Sequence, residues 1–141
     1  MDICIDFDAT CVTDEFPKIG KSIRAEKVLK LLVENGHRLI LFTMRSNKKD
    51  NKSSDPDIQN IDGDFLDHAV EWFKKNDIPL YGIQTNPTQY KWTESPKAYG
   101  HLYIDDASLG CPLKYDIELS ARPFVDWEEV ERLLRNNGII K

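Results

Sequence analysis

Ile3-Cys4-Ile5-Asp6-Phe7-Asp8-Ala9-Thr10-Cys11-Val12 is the stretch whose reading decides the fold of this chain. It begins as a short apolar run, the pattern of a buried strand, and then places Asp6 and Asp8 where the run ends. Packing gives a strand of Ile and Cys no reason to end in Asp-Phe-Asp. A buried carboxylate is costly unless it is paired, hydrogen-bonded or bound to a metal, so two of them this close together point to a cation.

Outward from that strand, Thr13 to Lys21 reads as a loop punctuated by Pro17 and Gly20. Ser22 is expected to cap a helix running to about Asn35, with Gly36 closing it and Ile23, Val28, Leu29, Leu31 and Leu32 forming its apolar stripe. Arg38 to Thr43 is a second strand, a continuous apolar run of the kind found in parallel sheets covered on both faces. Ser46 to Gly63 is a long polar loop, of the length that is usually functional or disordered. A second helix is expected from about Asp64 to Asn76, and a third strand from Leu80 to Thr85. Asn86 to Gly100 contains prolines and supports only a short helix, placed around Ser95 to Tyr99. His101 to Asp106 is a fourth strand that again ends in carboxylates, and Ile117 to Leu119 is a candidate for pairing at an edge. Asp126-Trp127-Glu128-Glu129 has the spacing of a capping box and opens a last helix that stops near Gly138.

Strands alternating with helices predict right-handed crossovers. The expected class is α/β: a Rossmann-like three-layer fold with a mainly parallel central sheet and helices on both faces. Ligands in such sheets bind outside the carboxyl ends of the strands. Asp6 and Asp8 end the first strand, Thr43 the second, and Asp105 and Asp106 the fourth, so the topology gathers them at one edge. Two like charges ~4 Å apart repel by roughly 4 kcal/mol at an effective dielectric of ~20. A divalent cation relieves that repulsion, and all-oxygen ligands favour Mg²⁺ or Mn²⁺ over zinc. A phosphate substrate would add negative charge and call for a lysine. Lys97 and Lys91 both precede the fourth strand, and Lys97 is preferred for its distance to the aspartate pair. Arg45, shortly after Thr43, is a candidate substrate-contacting guanidinium.

The bulk properties narrow the partners. A chain of 141 residues, 40% apolar and 30% charged, reads as one globular domain. No apolar run approaches the ~20 residues that span a bilayer, and the first apolar run carries two aspartates that a signal peptide would not tolerate. The cysteines (Cys4, Cys11, Cys111) are odd in number and form no CxxC pair, which argues for a reducing compartment and a cytoplasmic location. A net charge of −5 without a basic stripe makes duplex DNA an unexpected partner. His37, His68 and His101 lack ligand spacing, Trp72, Trp92 and Trp127 read as core or half-buried anchors, and Lys48, Lys49 and Lys52 read as a solvated loop.

Ile-Asp-Phe-Asp-Ala-Thr at 5–10, Leu-Phe-Thr at 41–43, a following lysine and Leu-Tyr-Ile-Asp-Asp at 102–106 resemble the four motifs of the haloacid dehalogenase-like (HAD) superfamily, in that family's order. The resemblance implies a HAD-like domain over 1–141 and a Mg²⁺-dependent phosphatase working through an aspartyl-phosphate. Asp6 would be the nucleophile, Asp8 the proton donor and then the base, Thr43 a hydrogen-bond partner of a phosphoryl oxygen, and Lys97 the charge-offsetting cation. Asp6, Asp8 (through its backbone carbonyl), Asp105 and Asp106 would hold the metal. Ala9 stands where the family usually has Gly, and Cys11 where an aliphatic residue is common.

No room remains between the motifs for the inserted cap domain that many members carry. An open site suits a large phosphorylated substrate, or closure by the Ser46–Gly63 loop or by a neighbouring subunit in a homo-oligomer. Two rivals stand beside this reading. A phospho-receiver domain gathers similar residues, but in a different order along the chain. A non-catalytic Mg²⁺- or partner-binding domain would keep the fold, and intact Asp6 and Asp8 speak against it.

Overall fold

β1 (Asp2–Ile5) is buried along its whole length and lies inside a four-stranded parallel sheet, in a computed structural model that describes residues 1–50 and 63–141. β2 (Arg38–Leu41) pairs along one side of it, with β3 (Gly82–Ile83) beyond, and β4 (Leu102–Ile104) pairs along the other. Ile3 stands opposite Leu39 and Leu102, and Ile5 opposite Leu41 and Ile104. Helices α1 (Ala25–Glu34), α2 (Phe65–Lys75) and α3 (Trp127–Asn136) complete the expected α/β class, a Rossmann-like fold with a mainly parallel sheet. A two-stranded antiparallel ribbon, β5 (Leu113–Lys114) with β6 (Phe124–Val125), lies between β4 and α3 in the sequence.

The period of two along β1 and β2 divides the core. Ile3, Ile5, Leu39 and Leu41 belong to the larger cluster, which also takes Val28, Leu29 and Leu32 of α1, Ala69 and Phe73 of α2, and Trp127, Val130 and Leu134 of α3. Cys4 and Ile40 belong to a smaller cluster with Ala98, flanked by Phe42, Tyr81 and Tyr103. Among the described residues the helices share the larger cluster. The second face is covered by the 86–100 segment, because the step from β3 to β4 reverses direction across the sheet and must pass over that face. Pro87 and Pro96 keep this segment from forming a long helix. Its single 3₁₀ turn is at Gln89–Lys91, and Ser95–Tyr99 is irregular.

Element ends differ from expectation for local reasons. Ser22 does not cap α1, because its backbone bridges to Val12; the helix opens behind Arg24, which has φ +68°. β2 stops at Leu41, and the N–H of Thr43 pairs instead with the side chain of Gln84 at 2.9 Å. β3 is short because Gln84 turns away with φ +65°. Ile117–Leu119 forms no strand; the ribbon pairs Leu113 with Val125 and Lys114 with Phe124. Asp126 caps α3 by accepting from the Glu129 N–H at 3.3 Å, but the box is not reciprocal: the Glu129 carboxylate bonds Arg132, and the Asp126 N–H goes to the Pro112 carbonyl. Trp92, expected to be at least half-buried, is 60% exposed. The centre of the Ser46–Gly63 loop, Lys52 included, lies outside the described residues.

Candidate metal and phosphate site

Asp6 follows the last residue of β1, and its N–H still donates to the Ile104 carbonyl of β4 at 3.0 Å. The chain then turns tightly. The Phe7 carbonyl accepts the N–H groups of Thr10 at 3.1 Å and Cys11 at 2.7 Å, and Ala9 takes a left-handed φ of +60°. That turn is fixed from outside: the Val125 N–H donates to the Ala9 carbonyl at 2.9 Å, and the Trp127 indole N–H to the Thr10 carbonyl at 2.6 Å. Beneath it, the Cys11 thiol donates to the Asp6 carbonyl at 3.3 Å, and burial pushes that thiol well above its ordinary pKa.

Carboxylate oxygens of Asp6, Asp105 and Asp106 converge within 4.8 Å of one another. The buried hydroxyl of Thr10 is a common partner of Asp6 and Asp106. It accepts the Asp106 N–H at 3.0 Å and lies 2.9 Å from Asp6 Oδ2 and 3.1 Å from Asp106 Oδ1. A hydroxyl has one proton, so it serves one of those carboxylates at a time. Burial raises the Asp6 pKa to about 8; hydrogen bonds from Phe7 and Thr10 oppose the rise, and Asp105 and Asp106 add to it. A carboxyl so placed gains from a positive charge brought among the three. The donor set is all oxygen, and it fits a hard divalent cation.

Of the residues singled out in the sequence, Lys97 stands beside this cluster. Lys97, Asp6 and Asp105 line one cavity of about 350 Å³ with Phe42, Tyr103 and Ser108. The Lys97 ammonium lies 5.2 Å from the Tyr103 ring centre. Lys91 does not line that cavity; its ammonium lies 5.9 Å from the ring of exposed Tyr90. Thr43 follows β2 by two residues, and its hydroxyl accepts the Arg45 N–H at 3.1 Å, which leaves the hydroxyl proton available.

Arg45 and Asp8 are placed differently from expectation. Arg45 is 2% exposed, and it spends its side chain on protein rather than offering it to a substrate. Its Nε and Nη2 each donate to Asp8 at 2.7 Å, Nη2 also donates to the Lys18 carbonyl at 2.8 Å, and Nη1 donates to the carbonyls of Pro17 and Phe65 at 3.3 Å each. The Asp8 carboxylate is thus held in a two-point ion pair and is not a member of the Asp6–Asp105–Asp106 group.

Two residues that sequence reading did not single out prove central. Thr10 was within the quoted motif, and a hydroxyl a turn beyond a strand-end aspartate is a signal that could have found it. Gln84 had none: its side-chain amide pairs with both the N–H and the carbonyl of Thr43, at 2.9 and 2.7 Å.

No family model and no curated protein matches this chain. A solved structure described as the conserved protein coded by a locus from Bacteroides thetaiotaomicron is similar to it, with a TM-score of 0.69 at 28% identity, over 97% of this chain and 91% of that one. The likeness spans nearly the whole fold, and any statement of activity must rest on the site itself.

Proposed function

We propose that this chain is a Mg²⁺-dependent phosphohydrolase of the capless haloacid dehalogenase-like type, acting on a phosphomonoester. The observation that carries this reading is the convergence of Asp6, Asp105 and Asp106 in one cluster, with Lys97 lining the cavity that Asp6 and Asp105 share. Asp6, Asp105 and Asp106 would hold the cation, which when bound stabilises negative charge on the phosphoryl oxygens and on the cluster itself.

In the proposed reaction an Asp6 carboxylate oxygen attacks phosphorus. The new P–O bond to Asp6 forms as the bond to the alcohol oxygen breaks, and Asp8 gives that oxygen its proton. Water then attacks the phosphorus and returns a proton to Asp8, which releases inorganic phosphate and restores Asp6. The Thr43 hydroxyl donates to a phosphoryl oxygen, and the Lys97 ammonium offsets charge on nucleophile and phosphoryl group.

Among the described residues no helix is long and apolar enough to cross a membrane. A cytoplasmic enzyme with a large substrate, or one closed over by a second copy, is the setting that this reading favours.

Assay of p-nitrophenyl phosphate and a panel of phosphorylated metabolites with Mg²⁺ tests the proposal, with Asp6→Asn as control. Turnover that the chelator EDTA abolishes, and that Asp6→Asn lacks, is expected. Equal turnover by Asp6→Asn would remove the nucleophile assignment, and no turnover at all would favour a metal-binding domain without catalysis.

A further inference from the structure

Arg45 has no donor left for a ligand. A guanidinium carries five N–H groups, and here two meet the two Asp8 oxygens while three meet the backbone carbonyls of Pro17, Lys18 and Phe65. Its carbon lies 5.1 Å from the Phe7 ring centre and 5.2 Å from that of Phe16, so aromatic rings flank it as well. The three carbonyls are neutral and come from the loop after β1 and from the first residue of α2. Among the described residues Asp8 is the only carboxylate it meets. Whatever Arg45 does for the site, it does through Asp8.

We infer that Arg45 is a positioning residue that sets the orientation of the Asp8 carboxylate for proton transfer to the leaving group, an inference that rests on the phosphohydrolase reading. A two-point fork fixes the plane of a carboxylate as well as its place. Each oxygen gives one lone pair to the fork and keeps another, so a proton can still be carried on the retained side. The five-point anchorage ties that plane to the loop after β1 and to α2, both outside the Asp6–Asp105–Asp106 cluster. Asp8 can therefore hand a proton to the alcohol oxygen, as its bond to phosphorus breaks, without a search over rotamers.

The test uses two substrates of nearly equal shape. Nitrophenolate leaves from p-nitrophenyl phosphate without a proton, whereas phenolate, a poorer leaving group, benefits from one. The value of kcat/KM reports the steps up to departure of the leaving group and so excludes the later attack of water. For Arg45→Lys, kcat/KM on phenyl phosphate is expected to fall about 10²-fold, the usual scale of a general acid, and on p-nitrophenyl phosphate less than about tenfold. Asp8→Asn is expected to show the same selective loss, and the double variant to be no worse than Asp8→Asn alone. Equal losses on both substrates, or losses that multiply in the double variant, would overturn the inference.

If Arg45→Lys does not fold, Phe16→Leu serves in its place. The Phe16 ring is 45% exposed and touches the guanidinium from outside. It is expected to shift the ratio between the two substrates severalfold in the same direction, and an unchanged ratio would overturn the inference. Absence of Asp6-dependent turnover in the unaltered protein fails the phosphohydrolase reading and takes this inference with it. Asp6-dependent turnover with an unmoved ratio fails only the role given to Arg45.

Discussion

The Thr10 hydroxyl accepts the backbone N–H of Asp106 at 3.0 Å, across 96 residues of sequence. Through that bond the turn after β1 is joined to the end of β4, and the same oxygen lies 2.9 Å from Asp6. One hydroxyl therefore sets the distance between two carboxylates from different strands.

Replacing Thr10 by Val keeps the shape and deletes the hydroxyl. It leaves the Asp106 N–H and one carboxylate short of a partner in a place where Thr10 itself is fully buried. A loss of about 1–3 kcal/mol is expected in urea denaturation, the cost of an unsatisfied buried group. Thr10→Ser retains the bonds and should lose no more than about 1 kcal/mol, for the missing methyl. Equal losses for the two variants would mean that the methyl, not the hydroxyl, holds the turn.

Asp6 predicts a pH dependence of stability in the absence of metal. Burial raises its carboxyl from an ordinary 3.8 to about 8 in the folded chain. The folded state thus binds this proton more tightly than the unfolded state, so the contribution is present at low pH and is lost as pH rises through the folded value. With EDTA, the melting temperature is expected to fall from pH 5 to pH 8.5 relative to Asp6→Asn, whose amide carries no proton to lose. Added Mg²⁺ should raise the melting temperature most at the alkaline end, because cation and proton compete for the same oxygens. An Mg²⁺ effect that is equal at both pH values, or that survives intact in Asp6→Asn, would separate the metal from this carboxyl.

Ala9 bears on how a turn accommodates a residue that geometry does not favour. Its φ of +60° costs an L-residue roughly 1–2 kcal/mol, and Gly avoids that cost. Against this stand the buried methyl of Ala9 and the greater chain entropy that Gly loses on folding. Ala9→Gly is therefore expected within about 1 kcal/mol of the unaltered protein. Ala9→Val adds a branched side chain to a left-handed, buried position and should cost about 2 kcal/mol or more. A Val variant as stable as the Gly variant would show that the turn can change its backbone.

The parts of this fold that were legible in sequence are those fixed by local chemistry. The apolar run through Ile5 and the one through Leu41 required cover on both faces, and Asn76 and Asp126 marked helix ends by their local chemistry. The strand-end rule places Asp6, Asp105 and Asp106 at one sheet edge, and their carboxylates converge there. What was not legible depends on backbone carbonyls meeting across the fold. Arg45 read as a free guanidinium because nothing in a sequence tells that the carbonyls of Pro17, Lys18 and Phe65 will face it. The pairing of Leu113 with Val125 is likewise tertiary: two-residue strands carry no period, and Ile117 was the more apolar choice.

Gln84 carries the last prediction. The Thr43 loop leaves β2 without a strand partner, and the Gln84 side chain supplies one: Oε1 accepts the Thr43 N–H at 2.9 Å, and Nε2 donates to the carbonyls of Thr43 at 2.7 Å and Arg45 at 3.2 Å. To reach them Gln84 adopts φ +65°, strain that the three bonds offset, while its own N–H stays on the Leu41 carbonyl at 2.7 Å. Gln84→Leu removes all three bonds at nearly constant volume and is expected to cost about 1–3 kcal/mol in urea denaturation. Gln84→Glu keeps the acceptor but turns an oxygen toward two carbonyls that need a donor, so it should cost at least as much. Under the phosphohydrolase reading the freed loop no longer holds the Thr43 hydroxyl in register with Asp6, and inhibition by inorganic phosphate should weaken about tenfold in both variants. Unchanged phosphate inhibition in a destabilised Gln84→Leu protein would mean that the amide supports the fold alone and that Thr43 does not meet the phosphoryl group.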